Sequence, residues 1–131
     1  MATNAARVMI IDDSETVLKV TAHKLKIAGF DVITAGNERS LLEIAQHKPD
    51  LVLLDVSMPG LTGDRIAQLL KDTGLLKRGL VVFFSSRTAA ELEDLVIQTG
   101  AAGYIRKDLA TGDFVSQVQY WVGEVRRQFP S

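Results

Sequence analysis

Short apolar runs alternate along the chain with longer segments whose apolar positions recur every three or four residues. RVMII (7–11) predicts a first strand, stopped by Asp12, Asp13 and Ser14. A helix follows from about Glu15 to Ala28, with Leu18, Thr21, Ala22, Leu25 and Ala28 on one face and Gly29 as its stop. FDVITA (30–35) predicts a second strand, and ERSLLEIAQHK (38–48) a helix starting near Asn37, a good N-cap, and ended by Pro49. DLVLLD (50–55) is a third strand, leading to a helix near Asp64 to Asp72. LVVFFSS (80–86) is a fourth strand, before a helix capped by Thr88, AAELEDLVIQT (89–99), that stops at Gly100. AGYIRK (102–107) is a short fifth strand. The last helix, about Asp113 to Gln128, buries Phe114, Val118, Trp121, Val122 and Val125.

Strict strand–helix alternation, with strands apolar along their whole length, requires a parallel sheet covered on both faces. Right-handed crossovers narrow this α/β chain to a doubly wound, five-stranded (βα)5 sheet. In such sheets the ligand site lies beyond the carboxyl ends of the strands. The first strand delivers Asp12 and Asp13 there, the third Asp55, the fourth Ser85 and Ser86, the fifth Arg106 and Lys107.

Composition trims the possibilities without creating new ones. With 131 residues the chain is expected to form a single domain, 1–131, with its core at about 6–126. No cysteine is present, which excludes disulfides and thiolate metal sites. Fifteen basic residues against sixteen acidic give a net charge of −1, so no general field favours nucleic acid or an anionic membrane. No apolar run reaches the length of a membrane span, and MATNAAR is too short and polar for a signal peptide. A cytoplasmic setting is expected.

Three carboxylates converging on one sheet edge repel one another unless something positive sits among them. A hard cation such as Mg²⁺ meets that need with oxygen ligands. Lys107 offers a point charge for a phosphoryl group and Ser85 a hydroxyl donor. A carboxylate can itself be the nucleophile and form an aspartyl-phosphate. Asp55 as nucleophile, Asp12 and Asp13 around Mg²⁺, and Ser85 and Lys107 on the phosphoryl oxygens would make one coherent site. Read singly, each residue has an ordinary alternative: Asp55 a helix cap, Ser85 a strand-end hydroxyl, Tyr104 a strand residue, Lys107 and Arg87 solvated cations. His23 and His47 fall on helices away from the strand ends and receive no chemistry.

Together IIDDS, LVLLDVSMPGLTG, FFSSR and GAAGYIRK resemble the receiver domain of two-component response regulators, the single-domain chemotaxis regulator among them. The resemblance covers roughly residues 6–126. It implies a flavodoxin-like sheet of order 2-1-3-4-5. It implies Asp55 as the acceptor of a phosphoryl group from a histidine kinase or phosphotransfer protein. It also implies Asp12, Asp13, Asp55 and the backbone carbonyl of Ser57 as Mg²⁺ ligands, Ser85 and Tyr104 as switch residues, and Lys107 as the family's lysine. Such a protein assists its own phosphotransfer and dephosphorylation but acts on no separate substrate.

One departure stands out: the family usually carries proline after that lysine, and this chain has Asp108. A cis Lys-Asp bond costs about 2.5–4 kcal/mol, so a trans peptide is expected at 107–108. Two other readings stay open, a receiver-like binding module that no longer uses phosphate and an aspartyl-phosphate phosphohydrolase. The hydrolase pattern resembles Asp-x-Asp, and here Ser57 stands two residues after Asp55. With no room for a helix-turn-helix after Phe129, output is expected through protein contacts on the fourth helix, fifth strand and fifth helix, from a stand-alone regulator or a receiver within a longer chain.

Overall fold

The computed structural model describes residues 5–36, 39–107 and 113–130. Five strands and five helices alternate: β1 (Arg7–Ile11), α1 (Glu15–Ile27), β2 (Asp31–Ala35), α2 (Ser40–His47), β3 (Leu51–Leu54), α3 (Gly63–Thr73), β4 (Leu80–Ser85), α4 (Ala89–Thr99), β5 (Gly103–Arg106) and α5 (Phe114–Gln128). The strands are all parallel, in the order β2-β1-β3-β4-β5. The flavodoxin-like, doubly wound (βα)5 fold is therefore present.

Strand side chains alternate between faces, so neighbouring residues serve different cores. Val8, Ile10, Leu51, Leu53, Val82, Phe84 and Ile105 pack against Ala22 and Leu25 of α1 and Phe114, Val118 and Val122 of α5. Their odd-man neighbours Met9, Ile11, Val52, Leu54 and Phe83 pack against Ile44 of α2, Ile66, Ala67 and Leu70 of α3 and Leu92 of α4. Two helices cover one face and three the other. That explains why β3, in the middle, is buried at every position while the edge strand β2 is buried only at Ala35.

Helix ends follow the local chemistry. Ser14 Oγ accepts from the Val17 N–H and Thr88 Oγ1 from the Glu91 N–H, each satisfying a donor that the first turn leaves open. Gly100 ends α4 at φ 78°, where a β-carbon would be strained. Ala28 lies beyond the end of α1 and is exposed rather than on its buried face, since the chain has already turned towards Gly29. Trp121 is only partly buried; its ring packs against Gly103 of β5, where a β-carbon would collide with it. The proposed cap Asn37 and the Lys107–Asp108 peptide lie outside the described residues.

Candidate functional site

β1 and β3 are adjacent, and their ladder continues past the end of β3: the Asp55 N–H donates to the carbonyl of Ile11, the last residue of β1, at 2.9 Å. This places Asp55 beside Asp12. On the other side of the sheet the Lys107 N–H donates to the Ser85 carbonyl at 2.9 Å, extending the β4–β5 pairing in the same direction. All four side chains thus come from one edge, fixed by backbone hydrogen bonds rather than by their own contacts.

Asp12 and Asp55 are buried and Asp13 is exposed. Carboxylate oxygens of the three lie within 4.8 Å of one another. Lys107 Nζ bridges the buried pair, 2.6 Å from Asp12 Oδ2 and 3.3 Å from Asp55 Oδ1, with the ammonium 5.5 Å from the Phe84 ring centroid. Asp12 is further held by the Ser14 N–H at 2.9 Å on its other oxygen. Asp55 Oδ1 also faces the Ser57 N–H at 3.4 Å. Burial holds the Asp55 carboxyl above its ordinary value; the Lys107 ammonium pulls it down, and the neighbouring Asp12 charge pushes it up again.

One lysine cannot balance three carboxylates, so the cluster retains a deficit of positive charge. The donor set is all oxygen and spans two buried groups and one exposed group, which fits a hard divalent cation that keeps part of its water shell. The Ser57 carbonyl belongs to the same loop, and no contact of that oxygen is needed to define the cluster.

Gly63 sets the roof of this loop. Its N–H donates to the Val56 carbonyl at 3.1 Å, and a β-carbon there would run into the Asp55 carbonyl oxygen. The Gly63 spacing in LVLLDVSMPGLTG therefore has a steric cause: the start of α3 lies against the backbone of Asp55.

Ser85 is buried, and its Oγ accepts from the Arg87 N–H at 3.2 Å. Tyr104 is half-buried, with its hydroxyl donating to Glu93 Oε1 of α4 at 3.3 Å. Arg87 is not simply solvated. Its Nε donates to Ser57 Oγ at 3.1 Å, and its carbonyl accepts from Arg106 Nε at 3.1 Å. A chain of contacts therefore ties the loop after β3 to the loop after β4 and to the end of β5. Reading the sequence left Arg87 as a surface cation because no spacing rule links residues 57 and 87; only the β3–β4 register brings the two loops together. His47 faces Glu43 on α2, Nε2 to Oε2 at 3.0 Å, away from the cluster.

The family model for the response regulator receiver domain matches residues 8–119. The polar-differentiation response regulator DivK of Brucella anthropi is 27% identical over 118 residues, 89% of this chain and 96% of that protein. Among solved structures, the chemotaxis response regulator CheY4 of Vibrio cholerae superposes with a TM-score of 0.78 at 26% identity, covering 89% of this chain and 98% of that one. A response regulator from Chloroflexus aurantiacus gives a TM-score of 0.81 at 23% identity over 92% of this chain and 99% of that one, a likeness of fold. The match across nearly the whole sheet, on a chain whose strand ends carry this acidic cluster and its lysine, has one meaning: the chain belongs to the response regulator receiver domain family of two-component signalling.

Proposed function

We propose that residues 1–131 act as a single receiver domain that accepts a phosphoryl group on Asp55 in a Mg²⁺-dependent reaction. The observation that carries the reading is the convergence of Asp12, Asp55 and Lys107 around one buried point, with Asp13 at its rim. Receiver domains interact with histidine kinases or phosphotransfer proteins and bind Mg²⁺ at an acidic pocket, and this cluster fits that pattern.

In the proposed step an Asp55 carboxylate oxygen attacks the phosphorus of a phosphohistidine. The new O–P bond forms as the P–N bond breaks, and the imidazole leaves with the electron pair of that bond. Bound Mg²⁺ would neutralise phosphoryl-oxygen charge, held by Asp12, Asp13, Asp55 and the Ser57 carbonyl. Lys107 is poised to follow the charge: its ammonium already touches Asp55 and can transfer to a phosphoryl oxygen without losing Asp12. Ser85 offers a hydroxyl on the neighbouring strand. Water attack on the acyl phosphate would return the domain to its starting state.

The switch would run through Ser85 and Tyr104 to the face formed by α4, β5 and α5. Tyr104 is tied to Glu93 on α4, and Ile97 is 81% exposed nearby in sequence on the same helix. A downstream protein reading that face, in the cytoplasm, completes the proposal; a direct role in binding nucleic acid or inserting into membrane is not part of it. No helix among the described residues is long and apolar enough to cross a membrane.

The test is incubation with Mg²⁺ and a small phosphodonor, followed by mass spectrometry. An acid-stable, base-labile adduct is expected on Asp55 and none on Asp55→Asn. An adduct retained by that variant would overturn the assignment.

A further inference from the structure

At the opposite end of the sheet from the acidic cluster, the C-terminal ends of α2, α3 and α5 surround a groove of about 1260 Å³. Leu75, Leu76, Val122, Val125 and Phe129 supply apolar lining. Four cations line it as well, Lys48, Lys77, Arg78 and Arg126, against a single carboxylate, Asp50. Asp50 is turned to the fold, accepting the Arg7 N–H at 2.8 Å. A protein of net charge −1 therefore concentrates positive charge at this end.

Part of that charge answers the helices themselves. Each helix C-terminus carries roughly half a negative charge, so three of them supply about −1.5. Lys48, Lys77 and Arg78 alone exceed this and Asp50 together, and the groove stays positive by a narrow margin. Three converging helix C-termini also turn carbonyls, not N–H groups, towards the groove. Those carbonyls repel any anion, so acidic groups of a ligand must be met by the lysine and arginine side chains and not by the helix ends. The volume also exceeds the roughly 300–1,000 Å³ of small-molecule pockets.

Arg78 is already positioned: one of its five donors bonds the Pro130 carbonyl at 3.0 Å, and the guanidinium lies 5.9 Å from the Phe129 ring centroid. A cation held beside an aromatic and an apolar strip suits a carboxylate next to an apolar side chain. We propose that this groove docks an acidic peptide segment of a partner protein, its apolar side chains between Leu75 and Phe129 and its carboxylates on Lys77 and Arg78. The site is remote from Asp55 and does not depend on phosphorylation.

The test is a titration of the isotope-labelled full chain, without metal or phosphodonor, followed by amide NMR. The probes are a synthetic decapeptide alternating Glu with Leu and Phe, and the same peptide with Lys for Glu. Saturable shifts at Lys48, Gly74, Lys77 and Val125 are expected with the acidic peptide alone. Lys77→Glu combined with Arg78→Glu should weaken binding about tenfold, the loss of ~1.4 kcal/mol. Lys77→Glu, at an exposed position, should weaken it in the same direction and guards against a folding defect in the pair. Equal binding of both peptides, shifts on another surface, no shifts, or affinity indifferent to charge reversal would overturn the proposal.

Discussion

Lys107 Nζ lies closer to Asp12 than to Asp55, 2.6 Å against 3.3 Å. Asp12 is the more deeply buried of the two carboxylates, and its other oxygen is already held by the Ser14 N–H. The lysine is thus anchored on a fixed group and leans on the one that the proposed chemistry would change. An ammonium placed this way can serve two states of Asp55 without moving its stem.

Lys107→Ala should expose that dependence. It leaves two neighbouring buried carboxylates without their cation, and breaking a buried pair costs about 3 kcal/mol at the low end. Urea denaturation in chelator should show a loss of that order. Added Mg²⁺ should restore more stability to this variant than to the parent chain, because the ion replaces the missing charge. An equal Mg²⁺ effect on both proteins would mean that the ion does not bind among these carboxylates.

Asp13→Ala should separate metal binding from folding. Asp13 is exposed, so its removal should leave urea stability within about 0.5 kcal/mol of the parent. Mg²⁺ affinity should nonetheless fall about tenfold or more, since one of a few charged oxygen ligands is gone. Fluorescence or NMR titration with Mg²⁺ reads the effect directly, and an unchanged midpoint would remove Asp13 from the ligand set.

Asp55→Asn should stabilise the metal-free protein. Burial raises the folded-state pKa of Asp55 above its ordinary value, so the ionised group costs stability at neutral pH. That cost is lifted as pH falls through the raised folded value and the carboxyl becomes neutral. Thermal melts in chelator should therefore show the variant melting higher than the parent at pH 7, with the gap closing as pH falls and the parent's Asp55 takes up its proton. A variant less stable at neutral pH would show that the lysine contact outweighs desolvation.

Gly63→Ala addresses the backbone under the site. The new methyl meets the Asp55 carbonyl oxygen and the Val56 Cα, which are main-chain atoms that cannot rotate away. Overpacking of this kind costs about 1–3 kcal/mol. Chemical denaturation should register that loss, and amide shifts should spread from residue 63 to Asp55 and Val56. A variant as stable as the parent, with shifts confined to α3, would mean that the helix start moves freely against β3.

Much of the fold is legible in the chain because its signals are local. Uninterrupted apolar runs of strand length, separated by helical periodicity, leave little but a parallel sheet covered twice, and Thr88 and Gly100 mark α4 at both ends through caps that need only neighbouring residues. The strand ends also place Asp12, Asp13, Asp55, Ser85 and Lys107 at one edge, because parallel strands deliver their last residues to the same side. What the tertiary structure alone decided is how charges and loops share that edge. Lys107 rests foremost on Asp12, across 95 positions of sequence, and Arg87 fastens the Asp55 loop through Ser57 across 30. The cationic groove is likewise assembled from the ends of three separate helices. Strand and cap preferences act within a few residues, whereas these contacts depend on strand order and register, and on which buried charge most needs a partner.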